Sequence, residues 1–246
     1  KVAIAYDCRN NSESFAQIVA DVFSANKIKV YIFNQLRPTP ELSFAVKVLN
    51  CNCGIVLTAS HNPPEYNGYK VYWKDGGQIV PPIDKLLIEE INNVSFEEIK
   101  FNSNANLIET IGELIDDKFI SSSIKTGKVD KINSRENLKI VFTSLHGTSS
   151  TIMPKVFEKV GYKNVLYVEE QMEPDGNFPT VESPNPEEKE ALSLGLDLAK
   201  HSNADIVIGT DPDADRLGIA VKDLNNDYIL LNGNQLMVIM IDFLLN

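Results

Sequence analysis

At 246 residues the chain exceeds one domain of ordinary size, so two compact units are expected, and 43% hydrophobic with 23% charged residues is the composition of a soluble globular protein. That composition, with no apolar stretch long enough to cross a bilayer, excludes disordered, fibrous and membrane-spanning classes. The formal net charge of −11 gathers in the second half, where residues 129–246 hold 10 Lys and Arg against 19 Asp and Glu, which argues against nucleic acid or membrane as a partner. An acidic half also repels a phosphorylated ligand unless a bound cation offsets the charge locally. Cys8, Cys51 and Cys53 have neither zinc-site nor disulfide spacing and read as reduced thiols. Residues 1–7 lack the apolar core of a signal peptide, so a cytoplasmic location is expected.

In chain order, residues 2–7 predict a buried strand, and Ser12 a helix cap. The helix runs to about Asn26 with Phe15, Ile18, Val19, Val22 and Phe23 on its apolar face. A strand over 29–33 follows, then a helix from Thr39 carrying Leu42, Phe44, Ala45, Val46 and Leu49, then a strand, Gly54-Ile55-Val56-Leu57, that meets Thr58-Ala59-Ser60-His61-Asn62-Pro63. Residues 68–73 read as another strand, Asp75-Gly76-Gly77 as a turn, and helical signals return from Ile83 and Ile111. The pattern breaks over 127–137 and a second cycle begins: strand 138–145, helix 153–160, strand 165–168, an irregular Pro- and acid-rich stretch over 172–186, helix 187–201 and strand 204–209. Residues 217–221 and 228–231 predict antiparallel strands across an Asn225-Asn226 turn. Alternating strands and helices imply layered α/β architecture, and the likeness of Ile55-Val56-Leu57-Thr58-Ala59-Ser60 to Ile206-Val207-Ile208-Gly209-Thr210-Asp211 suggests two copies of one unit.

Two strand ends carry chemistry. Ser60 closes an apolar strand, where open α/β sheets build their sites, and a serine there is either a backbone cap or a nucleophile activated by His61, Lys70 and Arg9. Asp211-Pro212-Asp213-Ala214-Asp215-Arg216 sets three carboxylates at alternate positions after a second apolar strand. Hard oxygen donors of that kind suit Mg²⁺ or Ca²⁺. A calcium EF-hand would need Gly and Glu where Arg216 and Lys222 stand, which removes that reading. A solvated acidic turn and an aspartate-nucleophile phosphatase both survive the same test. Arg216 suits a phosphate or sugar oxygen beside the cation.

Taken together, Thr58-Ala59-Ser60-His61-Asn62-Pro63 with Asn67-Gly68-Tyr69-Lys70-Val71-Tyr72, Leu145-His146-Gly147-Thr148, and Gly209-Thr210-Asp211-Pro212-Asp213-Ala214-Asp215-Arg216 resemble the α-D-phosphohexomutase family. Pro174-Asp175-Gly176-Asn177-Phe178-Pro179 and Ser183-Pro184-Asn185-Pro186-Glu187-Glu188 are most similar to its bacterial glucose-phosphate branch, so the resemblance covers most of the chain. It implies two similar three-layer α/β/α domains with mixed sheets. Residues 1–130 would be the phosphoserine-loop domain without the family's N-terminal segment, 131–232 the metal-loop domain, and 233–246 the start of a truncated third. It further implies that Ser60 is carried as phosphoserine and binds Mg²⁺ with Asp211, Asp213 and Asp215. Arg9, His61 and Lys70 would surround the phosphoryl group, Lys70 moving a proton, while Arg216 and His146 meet the substrate.

The reaction so implied interconverts glucose 1-phosphate and glucose 6-phosphate, with glucose 1,6-bisphosphate as intermediate or activator. Mannose, glucosamine and pentose phosphates stay open, because sugar choice would belong to domains 3 and 4 of the same polypeptide. A Mg²⁺-dependent phosphatase with Asp211 as nucleophile, or a non-catalytic sugar-phosphate-binding module, are the alternatives. The chain by itself is expected to turn over poorly or not at all.

Overall fold

The computed structural model describes residues 1–127 and 134–246, so the domain boundary expected at 130/131 lies outside the described residues. Two units are present: Lys1–Asp7, Asn11–Thr58 and Asn67–Ile115 form the first, and Cys8–Asn10, Ala59–Tyr66 and Asp116–Asn246 the second. In the first, β1 (Val2–Tyr6), α1 (Ser12–Ala25), β2 (Val30–Phe33), α2 (Thr39–Val48), β3 (Cys53–Leu57), β4 (Tyr69–Trp73), α3 (Ile83–Asn93) and β5 (Ile108–Ile111) follow in turn. The sheet order is β4-β3-β1-β2-β5, parallel except for β4. Every residue of β1 is buried, as a central strand covered on both faces requires. Its side chains alternate: Val2, Ile4 and Tyr6 join the α1 layer, Ala3 and Ala5 the α2 layer.

Three expectations shift here. Of the expected apolar face of α1, Val19 and Phe23 pack against the core and Phe15 and Ile18 are 41% and 53% exposed, while the fully buried residues are small: Ala16, Ala20 and Ser24, with Ser12 at the helix start. The sheet supplies much of the bulk of that layer through Val2, Ile4, Tyr6 and Ile32, so the helix comes close on Ala16 and Ala20 and flanks them with Val19 and Phe23. Ser12 is the first helical residue and not the cap; its buried hydroxyl donates to Asp7 Oδ1 at 2.7 Å, and Asn11 precedes it in a left-handed conformation. Residues 108–111 add a fifth strand beside β2, and the helix expected from Ile111 is α4 (Glu113–Thr126), within which the two units divide.

The second unit contains β6 (Lys139–Thr143), α5 (Met153–Val160), β7 (Asn164–Tyr167), α6 (Glu169–Met172), α7 (Ser193–Ser202), β8 (Ile206–Thr210), β9 (Leu217–Lys222), β10 (Tyr228–Leu231) and α8 (Gly233–Leu245). Its sheet runs β10-β9-β8-β6-β7, with β9 and β10 antiparallel. The helix expected from Glu187 begins only at Ser193, because the Asn185 side chain accepts from the Glu187 amide (3.2 Å) and holds the chain in a turn. α8 buries none of its residues, although Met237 to Ile241 are all apolar. No helix among the described residues is long and apolar enough to cross a membrane.

Both units are three-layer α/β/α structures on mixed sheets, and both place an antiparallel strand beside the third strand of the cycle. β1, β2, β3 and β4 correspond in that order to β6, β7, β8 and β9. The repeated unit read from the two apolar strands is therefore repeated in topology, and Ser60 and Asp211 follow equivalent strands.

Candidate active site

Four loops leave the carboxyl ends of the strands at which each sheet reverses its winding, where open α/β sheets gather ligands. They follow β1, β3, β6 and β8. The two from the first sheet, Cys8–Asn10 and Ala59–Tyr66, group with the second unit, which also owns the other two.

Arg9 is 3% exposed and its guanidinium faces the main chain of the Ser60 loop. One terminal nitrogen donates to the carbonyl oxygens of Pro63 (2.8 Å) and Tyr66 (2.9 Å), the other to those of Ser60 (2.8 Å) and Asn62. The Phe178 ring lies 5.0 Å from the guanidinium carbon. A rigid fork of donors can gather four converging carbonyls as an ammonium cannot. So gathered, the loop holds Ser60 at φ 54, a left-handed conformation that costs a non-glycine residue about 1 kcal/mol.

From that position Ser60 Oγ donates to Asp211 Oδ2 at 2.6 Å and lies 3.2 Å from His61 Nδ1. Asp211 is fully buried, and its other oxygen accepts from the Arg216 amide at 2.9 Å. Asp213 is equally buried, Asp215 is exposed, and each of the three carboxylates offers an oxygen within 4.8 Å of the others. Burial, and then the charge of Asp213, push the Asp211 carboxyl up to about 8. Acid groups this crowded and buried hold a proton unless a cation replaces it. The donor set, all hard oxygens with Ser60 beside them, fits Mg²⁺. Burial, and next the charge of Arg216, hold the His61 imidazole below its ordinary range.

Metal-free protein is therefore expected to lose stability as pH rises. With Asp211 raised from 3.8 to about 8, the folded state keeps a proton that the unfolded chain releases. The resulting stabilisation is complete below about pH 4 and is lost as pH climbs to about 8. Mg²⁺ at a hundredfold excess over its Kd at pH 8 stabilises by ~2.7 kcal/mol, and the same concentration stabilises less at pH 5, where it must displace the Asp211 proton. The melting temperature should rise with Mg²⁺ by about 5–10 °C at pH 8 and by clearly less at pH 5. An equal shift at both values, by scanning calorimetry, would count against the carboxylates as the binding group.

The remaining predicted residues fall as follows. Lys70 is half-buried on β4, in the first unit, opposite Val56. The Arg216 side chain is exposed, and it is its main-chain amide that meets Asp211. His146 is 2% exposed, and both ring nitrogens meet protein: Nδ1 lies 3.0 Å from the Glu173 carbonyl and Nε2 2.9 Å from Thr180 Oγ1. Gly147 and Gly176 lie within the resemblance motifs, but they carry no reactive group and so draw no role from the sequence. A Cβ on Gly147 would stand 2.5 Å from Pro212 Cα, and one on Gly176 2.6 Å from the Asn10 amide nitrogen. Glycine inside an otherwise polar loop is the signal that points to close approach there.

The family model described as phosphoglucomutase/phosphomannomutase, alpha/beta/alpha domain I, matches residues 1–98, and the corresponding domain II model matches residues 117–225. Phosphoglucomutase of Staphylococcus aureus is 41% identical over 98% of the chain, which spans 44% of that protein. A phosphoglucomutase/phosphomannomutase family protein of Burkholderia thailandensis superposes with a TM-score of 0.74 at 26% identity, over 93% of this chain and 47% of that one. Parafusin of Paramecium, in an open form, shares the fold at a TM-score of 0.64 and 17% identity, over 89% of this chain and 45% of that one.

Proposed function

The chain belongs to the phosphoglucomutase/phosphomannomutase family, and on that premise we propose that it carries the phosphoryl-donor loop and the metal loop of a phosphoglucomutase. The observation that supports this most is the 2.6 Å hydrogen bond from Ser60 Oγ to Asp211, which sets the phosphoryl-accepting oxygen against the carboxylate loop. Phosphorylated Ser60 donates to a hydroxyl of glucose 1-phosphate or glucose 6-phosphate. The P–Oγ bond breaks, the bond from phosphorus to the sugar oxygen forms, the sugar hydroxyl gives up its proton, and Oγ takes one. The bisphosphorylated sugar then turns over and returns its other phosphoryl group to Ser60. Mg²⁺ held by Asp211, Asp213 and Asp215 supplies neutralisation of the charge on the transferring group.

In this reading Arg9 orients the loop through its carbonyl oxygens, and His61 lies beside Oγ. Arg216 extends into solvent toward a phosphate or sugar oxygen. Lys70 is proposed as the proton-transfer group on its motif alone. The sugar choice and full turnover are assigned to the remainder of the polypeptide, since this chain spans 44% of the staphylococcal relative. Reduced thiols and a sugar-phosphate substrate support a cytoplasmic location. Asp211 as a phosphatase nucleophile is less well supported, because it is fully buried with both oxygens already hydrogen-bonded.

Incubation of the chain with glucose 1,6-bisphosphate and Mg²⁺ tests the proposal. Intact mass should show one added phosphoryl group and peptide mapping should place it on Ser60. A label on Asp211, or no label on Ser60 when the full-length polypeptide is treated in the same way, would overturn it.

A further inference from the structure

His146 follows the strand equivalent to the one that Arg9 follows, and the two lie at opposite ends of one chain of contacts within the second unit. We propose that His146 is a positioning residue for the cation site: it latches the loop that clamps the carboxylates to the segment that backs Arg9. The proposal rests on the phosphotransfer reading above.

The clamp comes first. Loop 146–149 grips the start of the carboxylate loop at three points. The Thr148 amide donates to the Pro212 carbonyl (2.8 Å), Ser149 Oγ meets Thr210 Oγ1 (2.6 Å), and Gly147 lies so close to Pro212 that a Cβ would stand 2.6 Å from its carbonyl oxygen. The atoms on either side of Asp211 are thus fixed from outside the acidic loop.

The latch comes next. A carbonyl oxygen accepts only, so in the neutral ring Nδ1 carries the hydrogen that goes to Glu173 and Nε2 accepts from the Thr180 hydroxyl. That hydroxyl accepts in turn from Gln171 Nε2 (3.0 Å), and Gln171 Oε1 accepts from Thr143 Oγ1 (2.6 Å). The His146 amide donates to the Gln171 carbonyl (2.8 Å), and its own carbonyl accepts from the Asp175 amide (3.2 Å). Gln171 is fully buried and both ends of its amide are satisfied. Such a buried network specifies one arrangement because breaking any member strands its partner. It holds two consecutive non-glycine residues, Leu145 (φ 46) and His146 (φ 61), in the left-handed region. Strain of that kind persists only where the surroundings over-determine it.

The far end of the segment reaches the phosphoryl-donor loop. Gly176 packs on the main chain of residues 8–10, Asn177 Oδ1 accepts from Asn10 Nδ2 (3.0 Å), and Phe178 lies under Arg9, which holds the carbonyl oxygens of the Ser60 loop. The ring closes at Ser60 and Asp211. His146 touches neither cation nor substrate in this scheme. It sets the distance at which both halves of the site meet.

Mn²⁺ binding to the 246-residue chain, read by electron paramagnetic resonance, tests the role without turnover. His146→Leu and Thr180→Val, which each cut the latch, should weaken Mn²⁺ at least about tenfold, in the range expected when support of a metal ligand is removed. His146→Asn, able to remake one of the two side-chain bonds, should recover part of the loss. Phe157→Leu, a core change on α5 outside the network, serves as the stability control. If the latch variants bind Mn²⁺ no more weakly than Phe157→Leu at a matched fall in melting temperature, His146 is merely structural and the proposal is wrong. Thr180→Val keeps the test decisive should His146→Leu not fold. A wild-type chain that binds no Mn²⁺ would also overturn it. Absence of phosphoserine with a weakened Mn²⁺ signal would instead remove only the phosphotransfer reading.

Discussion

Ser60→Ala, made in the full-length polypeptide, is expected to lower mutase turnover by at least about 10⁴-fold, the scale seen when a covalent nucleophile is deleted. The oxygen that it removes is the one held 2.6 Å from Asp211. His61, at 3.2 Å from Oγ, points its ring at the same place but is not itself held by the four carbonyl contacts of Arg9. Substrate affinity should change little, because sugar recognition is assigned elsewhere, so the loss falls on kcat. A coupled assay for glucose 6-phosphate formation, started with glucose 1,6-bisphosphate present, makes the comparison. Turnover within tenfold of wild type would mean that the phosphoryl group travels by another residue.

Asp213→Asn carries the second large effect, and its value lies in two opposite signs. The side chain keeps its volume in a fully buried position, while one of the three negative charges disappears. Metal affinity should fall at least about 100-fold and turnover about 10³-fold, since several kcal/mol of charge neutralisation go with the ion. Stability of the metal-free protein should move the other way. After burial, the charge of Asp213 is the largest cause of the raised Asp211 carboxyl. Removing it lets Asp211 ionise at lower cost, so the metal-free variant should melt above metal-free wild type at pH 8. Equal metal affinity in variant and wild type would show that Asp213 is not a ligand. Lower stability of the metal-free variant would show that the carboxylates do not repel one another as their positions require.

Strands β1, β3, β6 and β8 were legible because a buried parallel strand is a short continuous apolar run, and the residues after such runs were legible as site candidates for the same reason. Ser60 and Asp211 came from that pattern. The buried face of α1 is only partly legible: Val19 and Phe23 pack against the core as their apolar character suggests, but Ala16 and Ala20, too small to mark a face, make the close approach, and Phe15 and Ile18 stay exposed. The start of α7 was misplaced because an Asn185 side-chain bond outweighs the helical period of 187–192. The contacts that Arg9 and His146 make are not legible in the sequence. Their partners are carbonyl oxygens and hydroxyls 27 to 54 residues away in the case of His146 with Glu173 and Arg9 with Pro63, and a main-chain acceptor leaves no mark on side-chain spacing.

Five non-glycine residues of the site loops hold left-handed backbones: Ser60, Leu145, His146, Phe178 and Ala214. Leu145, His146 and Phe178 bury their side chains, and glycine there would lose more in packing than the backbone gains. At the less buried Ser60 and Ala214 it would relieve about 1 kcal/mol of backbone cost, and a lineage selected for robustness alone would drift toward it. At position 60 the drift would yield a sturdier and inert protein, with nothing to carry a phosphoryl group. Stability-guided engineering of this protein would thus be drawn to Ser60, the position that it can least spare, and thermal tolerance should be sought in α1 and α8, away from these loops.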